Sequence, residues 1–115
     1  MKHKLLIAGS RTFEDYNLLK QMLKPENIEC IISGCARGAD TLAIRYANEF
    51  NIPVEKYPAQ WNIYGRSAGY IRNKLMVEKS TAVICFWDGT SKGTLLTINL
   101  AKDYNKPLKV VKYNE

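Results

Sequence analysis

Histidine and cysteine are scarce in this sequence. It has one histidine, His3, and three cysteines, Cys30, Cys35 and Cys85, among 115 residues. The cysteines are odd in number and lack metal-ligand spacing, so no metal site is expected. Cys30 and Cys85 fall in apparent strands and read as small buried apolar residues. Cys35 sits in a glycine loop, but a nucleophilic thiol there would want a histidine, and His3 is far away in sequence. Long apolar runs are missing too. Leu5-Leu6-Ile7-Ala8 is too short for the core of a signal peptide, and nothing approaches a membrane-spanning length. Together these absences predict a cytoplasmic protein with no membrane partner. There is no repeat, low-complexity tract or linker, so residues 1–115 read as one domain.

Two nucleotide-binding motifs are also absent. A P-loop ends in Gly-Lys-Ser/Thr after a four-residue spacer, and Ser91-Lys92-Gly93-Thr94 has the wrong order. A dinucleotide fingerprint needs Gly-x-Gly-x-x-Gly after the first strand and an acid after the second. Gly9-Ser10-Arg11 lacks those glycines, and the second strand ends in Ser33-Gly34. No cofactor is therefore expected. An excess of acid is missing as well: the formal charge is +6, part of it in Lys102, Lys106, Lys109 and Lys112. A basic balance fits anionic partners, and equally a solvated lysine-rich surface.

What is present is a regular alternation. Apolar, β-branched stretches at Lys4–Ala8, Ile28–Ser33, Pro53–Tyr57, Ala82–Trp87 and Leu108–Lys112 read as strands. Helical patterns fill the gaps. One is capped by Asp15 and runs to Lys24; another reaches Phe50; a third runs from Tyr64 to Lys79; a fourth spans Gly93 to Tyr104. In the third helix, Tyr64, Ala68, Ile71 and Leu75 share one face, with Tyr70 and Met76 off it. Asn51 and Asn105 read as left-handed caps. Alternation of this kind predicts a small doubly wound α/β sandwich of three layers, with five mostly parallel strands and helices on both faces. The short, charged third strand is placed at an edge.

Glycine-rich loops follow strands one, two and four. They are Gly9-Ser10-Arg11-Thr12, Gly34-Cys35-Ala36-Arg37-Gly38-Ala39-Asp40, and Asp88-Gly89-Thr90-Ser91-Lys92-Gly93. A buried strand that turns through glycine into a helix aims backbone N–H groups and a positive dipole end at one spot, which suits phosphate. One such loop is ordinary. Three converging at the switch point of a parallel sheet make a binding crevice.

The spaced residues Gly9-Ser10-Arg11-Thr12-Phe13, Ser33-Gly34, Ala36-Arg37-Gly38-Ala39-Asp40, Trp61, Tyr64-Gly65, Ala68-Gly69, Arg72-Asn73, Met76, Phe86-Trp87-Asp88-Gly89, Ser91 and Gly93-Thr94 form a pattern from Leu5 to about Ala101. It resembles the YspA/YpsA-related branch of the SLOG superfamily, the Rossmann-like domains of the Smf/DprA and LOG type. The resemblance implies binding of a nucleotide or nucleotide-derived ligand, often ADP-ribose-like, by a sensor or sequestering module. It also implies two alternatives: a LOG-like nucleoside-monophosphate phosphoribohydrolase, and single-stranded DNA binding of the Smf/DprA kind.

The hydrolase alternative meets a departure. LOG enzymes carry a glutamate three residues beyond a Gly-Thr pair; Gly93-Thr94 matches the pair, but the glutamate position is Thr97. A threonine supplies no carboxylate for acid or base chemistry. Turnover is not expected; if it occurs, it cleaves an N-glycosidic bond, with Arg72, Asp40 and Asp88 as the catalytic candidates. The ligand-binding candidates are Gly9, Ser10, Arg11, Gly34, Arg37, Gly38, Asp40, Arg72, Asn73, Asp88, Gly89, Ser91, Gly93 and Thr94. Arg37 and Arg72 suit phosphate, since guanidinium matches it bidentately, or surface ion pairs. Asp40 reads equally as a helix cap or a ribose ligand. Trp61 and Trp87 read as core or as stacking partners. Ser10 has no adjacent base. The DNA alternative would want exposed aromatics along a basic groove. A nucleotide-like small molecule is the expected partner, and the helix from Tyr64 to Lys79 is the expected face of a homodimer or higher homo-oligomer.

Overall fold

The structure, a computed structural model, describes residues 2–113. Met1, Asn114 and Glu115 of the expected 1–115 domain lie outside the described residues. Five strands form one parallel sheet: β1 (His3–Gly9), β2 (Ile28–Ser33), β3 (Val54–Lys56), β4 (Ala82–Trp87) and β5 (Leu108–Lys112), in the order β3-β2-β1-β4-β5. β1 is central, with Leu5–Gly9 paired in register to Ala82–Phe86 of β4. β3 is an edge strand of three residues. This is the doubly wound Rossmann-like architecture that the alternation predicts, and all five strands are parallel.

Strand residues alternate between two cores. On one face, Ile7, Ile31, Ile84 and Phe86 pack under α1 (Tyr16–Gln21) and α2 (Ala39–Glu49), which contribute Leu19, Ala43, Tyr46 and Ala47. On the other, Leu6, Ala8, Ile32 and Cys85 pack under α4 (Ala68–Lys79) and α5 (Lys92–Asp103), through Met76, Val77, Ile98 and Ala101. Each fully buried aliphatic side chain here contributes about 1.5–3 kcal/mol. Burial also pushes the Cys85 thiol up to about 12, which leaves it an inert core residue. The Asp15 carboxylate accepts from Leu18 N–H at 3.0 Å and starts α1 as expected. Asn51 and Asn105 both stand at φ 55°. Among the described residues no helix is long and apolar enough to cross a membrane.

Two helix expectations need correction. α1 stops at Gln21 rather than Lys24: Leu23 N–H bonds Lys20 O in a tightened last turn, and Pro25 opens a 3-10 turn (Pro25–Asn27). The helix expected over Tyr64–Lys79 is broken into α3 (Trp61–Tyr64), a 3-10 turn (Gly65–Ser67) and α4. Gly65, at φ 57°, makes the break. α4 then meets the sheet through Ala68, Asn73, Met76 and Val77. Of the expected stripe Tyr64, Ala68, Ile71 and Leu75, Ala68 alone packs on the sheet, and the other three are turned off it by about one residue, roughly 100°. Tyr64 is 45 % and Leu75 41 % exposed, while Met76 is buried and Tyr70 exposed. Trp61, far from filling the core, is 56 % exposed.

Candidate functional site

The carboxyl ends of β1 and β4 flank the point where strand order reverses, and the three glycine loops meet there. Ser10 ties them together. Its N–H donates to Phe86 O at 2.9 Å, its carbonyl accepts from Phe13 N–H at 3.2 Å and Ala39 N–H at 3.4 Å, and its Oγ accepts from Asp88 N–H at 3.2 Å. Ser10 is buried, so it organises the loops from behind the surface. Close approach also needs Gly38. It stands at φ 80°, and a Cβ there would strike the Ser10 and Arg11 backbone.

The second loop holds the charged part of the site. Arg72 reaches from α4 across the sheet edge and donates to Gly34 O at 2.6 Å; its Nε donates to Asn73 Oδ1 at 2.7 Å. Gly34 admits this contact, since a Cβ would lie 2.7 Å from the Arg72 guanidinium and 2.9 Å from Asp40 Oδ2. Asp40 lies in the first turn of α2, yet its Oδ2 accepts from Ala36 N–H at 3.2 Å and so pins the preceding loop. Its own carbonyl accepts from Ser33 Oγ at 3.0 Å. Asp40 is 6 % exposed. Burial raises its pKa from 3.8 to about 6, against the opposing pull of the Ala36 N–H and the Arg72 and Arg11 charges.

The third loop is built by Asp88. Its Oδ1 accepts from Thr90 N–H at 2.9 Å and Ser91 N–H at 2.8 Å, and these bonds hold its pKa below the usual carboxylate range. Trp87 Nε1 donates to Ser91 O at 3.0 Å, which fixes the far side of the loop. Ser91 Oγ accepts from Thr94 N–H at 3.4 Å and caps α5. The Lys92 and Gly93 amides of the first turn have no intrahelical carbonyl to bond.

Between these loops lies a cleft of about 390 Å³, in the size range of small-molecule sites. Of the residues expected to bind ligand, ten line it: Gly9, Ser10, Arg11 and Asp40; Arg72 and Asn73; Asp88, Ser91, Gly93 and Thr94. Gly34, Arg37, Gly38 and Gly89 stand outside the lining. Gly34 and Gly38 act behind the wall as described, and the Arg37 side chain is exposed. All three candidate catalytic residues, Arg72, Asp40 and Asp88, reach the cleft. Sequence reasoning passed over Ala8, Thr12, Ala36 and Met76 as lining residues, because small and apolar types carry no chemical signal. Thr97 lines the cleft as well, and its Oγ1 donates to Gly93 O at 3.3 Å.

The lining carries two arginines and two aspartates, so its formal charge is balanced. What it adds beyond charge is dipole: the N-terminus of α5 opens onto the cleft, with its cap Ser91 and Gly93 and Thr94 in the lining. Among the described residues no group of three or more histidine, cysteine, aspartate or glutamate side chains is placed to hold a metal ion.

Comparison with known proteins agrees with this fold. The Gene 61 protein of Mycobacterium phage D29 is 34 % identical over 102 residues, covering 79 % of this chain and 82 % of the phage protein. DNA processing protein A from Helicobacter pylori, solved in a study of its single-stranded DNA binding mode, shares the fold. The TM-score is 0.66 at 22 % identity, over 97 % of this chain and 67 % of that one. Residues 3–64 match the sequence model of the family described as YspA, cpYpsA-related SLOG. This chain belongs to the YspA, cpYpsA-related SLOG family.

Proposed function

We propose that this chain is a one-domain binding module for a phosphate-bearing nucleotide, an ADP-ribose-like molecule or a nucleoside phosphate, acting as a sensor or a sequestering protein. One observation carries the reading: the capped N-terminus of α5 and the Arg72 guanidinium open onto one cleft at the switch point of a parallel sheet. The phosphate sits on the Lys92 and Gly93 amides and faces Arg72. Asp40, a carboxylate at the same cleft, is suited to a ribose hydroxyl, since it repels phosphate when ionised. Titration calorimetry with AMP, ADP-ribose and cyclic nucleotides tests this. At least one should bind; failure of all three refutes it.

A second reading is supported by a separate feature. Trp61, Tyr64 and Tyr70 are exposed on the α3–α4 side, beside the exposed Arg66. Exposed aromatics with neighbouring cations are what single-stranded nucleic acid uses, and the shared fold with DNA processing protein A fits it. Binding of a labelled oligothymidylate that weakens steeply with salt, and that Tyr70→Ala reduces, would bring this reading to the front. Turnover by N-glycosidic cleavage would draw first on Asp40, which lines the cleft. The Asp88 Oδ1 is engaged by its own loop, and Thr97 has no carboxylate.

A further inference from the structure

Tyr64, Ala68, Ile71 and Leu75 repeat at helical spacing as a core stripe would, yet only Ala68 is buried; Ile71 is half-buried, and Tyr64 and Leu75 stay exposed. All four line a separate pocket of about 200 Å³. The other walls are Tyr57 and Pro58, with Lys56 and Gln60 adding polar groups. Exposed apolar surface of this kind marks an interaction site. One residue belongs to both this pocket and the main cleft: Arg72. Its guanidinium is fixed by Gly34 O and Asn73 Oδ1, so it stands as a post between the two spaces.

The geometry points to this pocket as the ring subsite of the same ligand: a flat aromatic ring, of nucleobase size, lies against Tyr64 and Leu75 while the phosphate lies in the cleft beyond Arg72. The inference rests on the proposed function and names the part of the ligand that function leaves open. Four features support a ring over other occupants. The pocket is small, its walls include aromatic and proline faces, Gln60 brings an amide able to both donate and accept, and Lys56 and Arg72 match an anionic ligand. A second copy of the chain would bring the same two cations against themselves. Tyr64 and Leu75 are half-exposed, so both can be truncated without opening the core.

The test compares ribose 5-phosphate, which has no ring, with AMP and ADP-ribose, on wild type, Tyr64→Ala, Tyr64→Phe and Leu75→Ser. The wild type should bind the ring-bearing ligands about tenfold or more tightly than ribose 5-phosphate, the gain expected of one base–aromatic contact. Tyr64→Ala and Leu75→Ser should remove that gain and leave ribose 5-phosphate unchanged, while Tyr64→Phe should keep it. Ribose 5-phosphate binding as tightly as AMP overturns the subsite and leaves the proposed function standing. A loss shared equally by all ligands in Tyr64→Ala also overturns it. So does a wild-type dimer, measured by light scattering, that Leu75→Ser makes monomeric with AMP affinity unchanged. No binding of any probe refutes the proposed function and the subsite with it.

Discussion

Replacing Asp40 by asparagine should stabilise the protein, and only above a certain pH. The carboxyl group is buried, and among the described residues the one ion pair within 4.0 Å is Lys20–Glu49, so no cation lies that close to Asp40. Burial wins over the Ala36 hydrogen bond and the more distant Arg72 and Arg11 charges, and the pKa rises from 3.8 to about 6. The folded state then holds a proton that the unfolded state has released. Stability from this group is fully present below the unfolded pKa of 3.8 and is lost as pH climbs through about 6. A rise of roughly two pH units, at about 1.4 kcal/mol each, amounts to about 3 kcal/mol by pH 7. Asparagine avoids this cost, and its Oδ1 can still accept from Ala36 N–H. Urea unfolding of wild type and Asp40→Asn at pH 4, 5.5 and 7 measures it. The variant should match wild type at pH 4 and exceed it at pH 7. The midpoint shift there should be on the order of 1–3 M, from a slope of about 1–3 kcal/mol/M. Equal stabilisation at every pH would refute the electrostatic argument. A variant less stable at pH 7 would show that Arg72 and Arg11 pair with Asp40 strongly enough to outweigh its burial.

Four further outcomes follow from the same geometry. Arg72→Ala should weaken AMP binding by about 30-fold or more, the worth of a charge-assisted contact of roughly 2–3 kcal/mol, whereas Arg37→Ala, exposed and outside the lining, should weaken it far less; calorimetry separates them. Gly38→Ala should destabilise the fold by about 2 kcal/mol or more, read by urea midpoint, because its Cβ meets the Ser10 and Arg11 backbone at φ 80°. Gly93→Ala should leave stability unchanged or raise it by up to about 1 kcal/mol, since its Cβ meets nothing, yet lower AMP affinity by filling the cleft. Wild type should release no base from AMP above background in a chromatographic assay; clear turnover lost in Asp40→Asn would make the chain a hydrolase.

The fold was legible because its signals are local. β-branched strands, the Asp15 cap and the left-handed asparagines each declare themselves within a few residues. The convergence of the glycine loops followed from parallel topology alone. The stripe of α4 misled because periodicity reports that a face is apolar and says nothing of what it faces. Only the break at Gly65 and the packing of Met76 and Val77 decide that. Arg37 and Arg72 both read as phosphate arginines or surface ion pairs, and the sequence does not show which of them reaches the cleft. Arg72 takes the position beside Gly34 from an element 38 residues away, a contact that no local pattern encodes. The depth of Asp40 was hidden for the same reason: a first-turn aspartate is ordinarily exposed, and here the Gly34 loop and Arg72 cover it.

The central claim is that the cleft at the β1–β4 switch point holds a phosphate-bearing nucleotide. Amide chemical-shift mapping during titration with AMP and ADP-ribose tests it most directly. Saturable shifts at Gly9–Arg11, Ala36 and Ser91–Thr94, with little change at the opposite edge of the sheet around Ile28 and Leu108, are the expected result. Titrations that move none of these amides, or that move only residues at the opposite edge, would contradict it.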